Sequence, residues 1–82
     1  MVVDVGLGNI GSVVAALERQ AFAVTRLTDP PDLPAMSGFS HVVLPGVGSF
    51  AAGMEALRRR GWVDWLLQQW CPTGRPLLGI CL

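Results

Sequence analysis

The feature of this sequence that most constrains its fold is a set of four short apolar runs, each followed by a turn or a loop. The runs are 1–5, 23–27, 41–44 and 77–81. Three of them are rich in Val, Ile or Leu without clean alternation, which is typical of strands buried on both faces of a parallel sheet. The run 23–27 alternates more, so we expect it to lie nearer an edge of the sheet.

Helical periodicity fills two of the intervals between these runs. Between the first two runs, the apolar residues of one helix face are Ile10, Val13, Val14 and Leu17. Between the last two runs, apolar residues recur at helical spacing over 50–57 and again over 62–70. The proline-containing segment 29–38 is expected to hold one short helical turn. This order of elements predicts an α/β fold, a partial doubly wound parallel sheet with right-handed crossovers.

Composition and charge exclude several classes of protein. At 82 residues the chain forms one small domain at most. Six Lys plus Arg balance six Asp plus Glu, so we expect no nucleic-acid partner. The uncharged stretch 33–54 is interrupted by proline and glycine, so we expect no membrane span. The amino terminus has no basic region typical of a signal peptide, which favours a cytoplasmic protein.

The last apolar run reaches the final residues without a following helix or polar tail. A strand inside a parallel sheet needs cover on both faces. We therefore expect the chain to be truncated after this strand, so that 1–82 is the amino-terminal part of one domain.

Gly6, Gly8 and Gly11 form a G-x-G-x-x-G pattern between the first strand and the first helix, the position of a dinucleotide-binding fingerprint. The glycines would let the backbone approach a pyrophosphate, and Asp29, 18 residues after Gly11, would bind the ribose hydroxyls. Any tight turn from a strand into a helix also favours glycine. A Rossmann-type dinucleotide-binding module is therefore one hypothesis.

A second group of residues follows the third and fourth strands, at the edge where open parallel sheets place their sites. Gly79 stands two residues before Cys81, which is the spacing of a nucleophile elbow. The backbone N–H of Leu82 would point at a developing oxyanion, and the turn 46–48 would supply a second donor. An isolated cysteine in a strand is more often a small buried hydrophobe, but these glycines favour a nucleophile.

Three segments together carry a resemblance to a known family: 4–10 (DVGLGNI), 43–50 (VLPGVGSF) and 78–82 (LGICL). In order and spacing they resemble the glutaminase subunits of imidazole-glycerol-phosphate synthases, the class I (triad) glutamine amidotransferases of histidine biosynthesis. The resemblance covers the whole chain and implies a flavodoxin-like fold. It identifies 1–82 as the amino-terminal part of a single glutamine amidotransferase domain.

The resemblance also implies a role for each matching residue. Cys81 would attack the side-chain amide of glutamine and form a glutamyl thioester. Val47 and Leu82 would donate backbone N–H groups to the oxyanion. Gly46 and Gly48 would belong to the substrate loop, and the Gly46–Val47 peptide would reorient between inactive and active states.

The family's partner is a cyclase with a (β/α)8 barrel, and Asn9 in the first turn would lie at this interface. Ammonia released from glutamine would pass to the cyclase for imidazole glycerol phosphate synthesis. The resemblance implies no cofactor and no metal. In the family the histidine and the acid of the triad follow well downstream, so we expect residues 1–82 to be inactive by themselves.

Two positions depart from the family's pattern. Val5 stands where the family usually has Tyr, and Gly11 stands where a larger residue is common. Because Gly11 completes the dinucleotide fingerprint, the resemblance favours an accidental match there. A non-catalytic interaction domain of the amidotransferase fold is a third hypothesis, since the triad is incomplete.

Overall fold

The computed structural model describes residues 1–6, 8–46 and 50–80. The helices and strands, in chain order, are β1 (Val2–Val3), α1 (Ile10–Arg19), β2 (Arg26–Leu27), α2 (Leu33–Met36), β3 (Val42–Pro45), α3 (Phe50–Arg59), α4 (Trp62–Trp65) and β4 (Leu77–Ile80). A π-helical segment, Leu66–Trp70, and a 3-10 turn, Cys71–Thr73, lead from α4 towards β4.

The four strands form one parallel sheet in the order β2-β1-β3-β4. From β1 the chain first crosses to β2 on one side, and then returns to β3 and β4 on the other side. Such a reversal of strand order is the mark of a doubly wound sheet. The predicted α/β class is confirmed, and the arrangement fits part of a flavodoxin-like fold.

β2 is shorter than its apolar run predicts. Only Arg26–Leu27 pairs with β1, although Val2 N–H also donates to the Thr25 carbonyl at 2.8 Å. The strand lies at one edge of the sheet, as the alternation in its run predicted, and Ala23 at the start of that run is exposed. β1 is just as short, Val2–Val3 of the run 1–5, although it has a neighbour on both sides.

Helices cover both faces of the sheet. On one face α1 packs over Val2 and Val43, with Ile10 buried at its start. On the other face Val3 and Val42 pack in a cluster with α2, α4 and the π-helical segment. Burial of these apolar side chains on two faces is the main contribution to the stability of such a fold.

Three indole groups fasten the segment after α3 to the rest of the fold. Trp62 is fully buried and donates from Nε1 to the Thr28 carbonyl at 2.8 Å. Trp65 donates to the Pro31 carbonyl at 3.1 Å, and Trp70 to the Pro76 carbonyl at 3.3 Å. The first two bonds hold the connection between β2 and α2 against α4.

The short helical turn predicted within 29–38 is α2. Asp32 caps this turn, because its Oδ1 accepts the Ala35 N–H at 2.8 Å. A proline in the first turn of a helix costs no internal hydrogen bond, which explains why Pro34 is tolerated there.

β4 differs from the strand that the sequence predicted. The apolar run suggested burial on both faces, yet Leu77 is 42% exposed and Leu78 52% exposed. β4 lies at the second edge of the sheet, and α1 reaches it only through the half-buried Ile80. Within the described residues β4 therefore presents an apolar edge surface.

The described helices are short, and α1 and α3 have ten residues each. None of the helices in the described part of the chain is long and apolar enough to cross a membrane.

Candidate active site

The carboxyl ends of β1 and β3 lie side by side at the point where the strand order reverses. Ligands of open α/β sheets bind in the crevice at such a reversal. The turn that contains Gly6 and Gly8 follows β1, and Gly46 follows β3. Both turns predicted to carry function therefore leave the sheet at this edge.

β3 and β4 are paired along their whole length. The register runs from Val42 opposite Leu77 to Pro45 opposite Ile80. Beyond this pair, the Gly46 N–H donates to the Ile80 carbonyl. The pairing holds Gly46, the residue before position 47, against the residue that precedes position 81.

Two of the predicted site residues are described by the structure. Gly46 is half-buried at the end of β3, and Asn9 is exposed at the start of α1. The other four, Val47, Gly48, Cys81 and Leu82, lie outside the described residues. Their roles remain predictions. Gly46 and Ile80 are the described residues that directly precede positions 47 and 81.

The turn after β1 requires glycine at two positions. Gly6 has φ +81° and Gly8 has φ +84°, which is the left-handed region that other residues rarely adopt. Asn9 then starts α1, because its Oδ1 accepts the Ser12 N–H at 3.3 Å. The side chain proposed for a partner interface thus also caps a helix at the edge of the crevice.

Asp4 connects this turn to β2, a role that sequence reasoning missed. Its N–H donates to the Leu27 carbonyl at 2.8 Å, and its Oδ1 accepts the Gly6 N–H at 3.1 Å. Arg26 donates from Nη2 to Asp4 Oδ2 at 2.9 Å. The available signal was an Asp two residues before a glycine, a pattern typical of side-chain-capped turns.

These contacts also change the acidity of the Asp4 carboxyl group. The Gly6 N–H and then the Arg26 guanidinium stabilise the carboxylate and lower the pKa of Asp4. Asp4 is therefore ionised at neutral pH, and its carboxylate is an acceptor for both groups.

Curated relatives match essentially the whole chain. Imidazole glycerol phosphate synthase subunit HisH 1 of Prochlorococcus marinus is 56% identical over 82 residues, covering 100% of this chain and 37% of that protein. The HisH subunit of Symbiobacterium thermophilum is 45% identical with the same coverage. That of Desulfitobacterium hafniense is 41% identical over 99% of this chain and 36% of its own length.

Over its whole length the chain is similar to HisH subunits. It spans about 37% of the length of the curated relatives that it matches. No family model matches the chain.

The similarity to HisH subunits and the geometry of the first turn both weigh against the dinucleotide hypothesis. In a dinucleotide-binding fold the third glycine allows close packing of helix and strand. Here Gly11 is exposed on α1, and a Cβ placed on it would meet no atom within 4 Å. Asp29 follows β2, but its exposed carboxylate pairs with Arg60 at 3.3 Å.

Titratable side chains in the described part of the chain do not assemble a metal site. No group of three or more His, Cys, Asp or Glu residues stands close enough there to hold a metal ion. His41, the single histidine of the sequence, directly precedes β3, so it lies at the amino ends of the strands, whereas Gly46 lies at their carboxyl ends. Its Nδ1 is 2.7 Å from the Ser40 hydroxyl.

A cavity of about 290 Å³ lies beside His41, at the amino ends of the strands. Its lining is mainly apolar and includes Leu17, Phe22, Val43 and Leu78. Neither Asn9 nor Gly46, the two predicted site residues that the structure describes, lines this cavity.

Proposed function

We propose that this chain forms the nucleophile-bearing part of a glutamine-hydrolysing domain that supplies ammonia to a cyclase partner. The observation that carries the proposal is the pairing of β3 with β4 up to the bond between Gly46 N–H and the Ile80 carbonyl. The similarity to HisH subunits supports it independently. The matched residues cover only about 37% of each relative. The tests therefore use a subunit as long as the relatives that contains residues 1–82, which we call the full-length subunit.

Cys81 is the proposed nucleophile. Its thiolate sulfur forms a bond to the side-chain amide carbon of glutamine, and the carbonyl oxygen becomes an oxyanion. Collapse of this tetrahedral intermediate breaks the carbon–nitrogen bond, releases ammonia and leaves a glutamyl thioester. Water then breaks the thioester, which yields glutamate and restores the thiol. A triad histidine from the remaining part of the domain would accept and return the protons.

The backbone N–H groups of Val47 and Leu82 are the proposed oxyanion donors. The Gly46 N–H is held by Ile80, so the amino side of Gly46 is anchored to β4. Rotation of the Gly46–Val47 peptide can then turn the Val47 N–H without displacing β3. Glycine at position 46 suits this hinge because it has the widest backbone freedom.

The proposed partner is the (β/α)8-barrel cyclase of the same synthase, with which the subunit would form a cytoplasmic heterodimer. Asn9 is exposed at the carboxyl edge of the sheet, where such a partner could receive ammonia from the site. The pathway would be histidine biosynthesis, with glutamine hydrolysis in this subunit and lyase chemistry in the partner. Residues 1–82 would be one part of a single domain.

The first prediction concerns Cys81 in the full-length subunit bound to its cyclase. Cys81→Ala should abolish glutamine-dependent synthesis, because no thiolate remains to attack the amide. Synthesis from free ammonia should persist, since that reaction belongs to the partner. Steady-state rates with glutamine and with ammonium chloride measure the two activities separately.

Cys71 offers a matched control for the nucleophile. It is an exposed free cysteine in the turn before β4. Cys71→Ala should retain glutamine-dependent synthesis, and an electrophilic glutamine analogue should alkylate Cys81 rather than Cys71 in mass spectra. Label mainly on Cys71, or loss of both activities in Cys81→Ala, would show that Cys81 is not the nucleophile.

A further inference from the structure

We propose that Asp4 is a positioning residue of the glutaminase site, acting through the glycine-containing turn that it ties to the end of β1. This inference rests on the proposed function. It concerns a side chain that neither the motifs nor the relatives' names assign to the reaction.

Asp4 forms hydrogen bonds with β2 through its backbone and with the turn after β1 through its side chain. Its own N–H is part of the pairing between β1 and β2, through the Leu27 carbonyl. Its Oδ1 accepts the Gly6 N–H, and Arg26 on β2 holds Oδ2. The carboxylate therefore fixes where the chain turns away from the sheet.

The turn held by Asp4 leaves the sheet next to the proposed oxyanion turn. Val2 is opposite Val43, so two residues later Asp4 comes level with Pro45, and Pro45 is opposite Ile80. Adjacent strands are only about 4.8 Å apart. The carboxyl ends of β1, β3 and β4 are thus neighbours along one edge of the sheet, and the first turn leaves the sheet beside the strand that ends before Gly46.

Because this turn contains two glycines, its backbone conformation depends on contacts with other residues. Gly6 and Gly8 both have positive φ, and glycine loses more backbone freedom on folding than any other residue. The Asp4 carboxylate supplies an acceptor for the N–H of the first of them. Without that acceptor, we expect the turn to populate other conformations beside the end of β3, where the proposed oxyanion turn begins.

The same contacts contribute little to global stability. The side chains of Asp4 and Arg26 are 25% and 50% exposed, and ion pairs open to solvent contribute little to the free energy of unfolding. A change at Asp4 should therefore be visible in the reaction at temperatures where the fold is intact.

Three substitutions at Asp4 separate the acceptor from the charge. Asn keeps an oxygen at the Oδ1 position without the charge, Glu keeps the charge on a longer side chain that cannot close the same turn, and Ala removes both. In the full-length subunit with its cyclase, Asp4→Ala and Asp4→Glu should lower the glutamine-dependent kcat by about three- to tenfold. Asp4→Asn should stay within about twofold of the unsubstituted subunit.

The KM for glutamine and the ammonia-dependent rate should change little in all three variants. Loss of the competent turn reduces the fraction of active sites and removes no contact to glutamine. If Asp4→Ala fails to fold, the comparison of Asn with Glu still decides the point.

Arg60→Ala is the matched control, because Arg60 is 51% exposed and its ion pair with Asp29 involves neither Asp4 nor Arg26. It should leave the kcat unchanged. Equal kcat values in all Asp4 variants, or an Asn variant as slow as Ala, would overturn the positioning role. Failure of the proposed function itself has a different signature, since glutamine hydrolysis would then survive Cys81→Ala.

Discussion

Gly6 and Gly11 both have free space where a Cβ would stand, but Gly6 has a left-handed backbone conformation and Gly11 a helical one. A Cβ at either position would meet no atom within 4 Å. Gly6 has φ +81°, whereas Gly11 lies within the first turn of α1. The left-handed conformation is costly for residues with a Cβ, and the helical conformation favours them over glycine.

Alanine substitutions at these two glycines should therefore change stability in opposite directions. Gly6→Ala should lower the free energy of unfolding by about 1–2 kcal/mol. Gly11→Ala should raise it by about 0.5–1 kcal/mol. Urea denaturation of the full-length subunit measures both. Destabilisation by Gly11→Ala would mean that this glycine is needed for close packing or a ligand, as the dinucleotide hypothesis requires.

The part of the site that sequence could predict consists of residues whose neighbours in the chain reveal them. Gly79 and Cys81 are two residues apart, and Gly46 directly follows a strand. The bond from the Gly6 N–H to Asp4 has a local signal, but the ion pair of Asp4 with Arg26 has none, because Arg26 is 22 residues away and reaches Asp4 only through the pairing of β1 with β2. Long-range pairing of this kind leaves no local pattern.

Elements were predictable where one face is strongly apolar. The structure confirms a strand in each of the runs for β1, β3 and β4, as well as the helix α1 and the short turn α2. The lengths of β1 and β2 were not predictable, since each covers two residues of a five-residue run. The π-helical end after α4 was not predicted as such, and Trp70 is buried there with the Arg75 guanidinium 4.4 Å from its ring centroid.

The attachment of α4 to the connection after β2 leads to a prediction at this scale. Trp62→Phe removes a fully buried N–H donor and leaves the Thr28 carbonyl without that bond. The expected loss is about 2–3 kcal/mol, which combines an unmet acceptor with a small cavity.

Trp65→Phe is the matched substitution on the same helix. Trp65 is only half-buried and bonds the Pro31 carbonyl at 3.1 Å, so the expected loss is about 1 kcal/mol. Thermal or urea unfolding of the full-length subunit measures both variants. An equal loss at the two positions would show that burial of the indole does not determine the strength of this attachment.

At the scale of the whole molecule, the two edges of the sheet are unequal. β2 is a two-residue strand with Arg26 in it, and a short charged edge resists pairing with other chains. β4 has four residues, no charged side chain, and two exposed leucines on opposite faces. Among the described strands it pairs only with β3, so its outer edge has the features of an association surface.

The last prediction concerns the 82-residue chain expressed by itself. We expect it to associate as its concentration rises, because the β4 edge and the apolar Leu77 and Leu78 are open to a second chain. It should also show no glutaminase activity, since the proposed mechanism needs a histidine from outside these residues. Size-exclusion chromatography with light scattering at several concentrations measures the association.

Leu78→Arg and Leu67→Arg form a matched pair for this experiment. Both leucines are exposed, at 52% and 65%, but Leu67 lies on the π-helical segment, away from the β4 edge. Leu78→Arg should reduce association by placing a charge on the edge strand, and Leu67→Arg should leave association unchanged. An unsubstituted chain that stays monomeric at all concentrations and melts cooperatively would contradict the predicted association. Cys81-dependent hydrolysis of glutamine by residues 1–82 alone would contradict the predicted lack of activity.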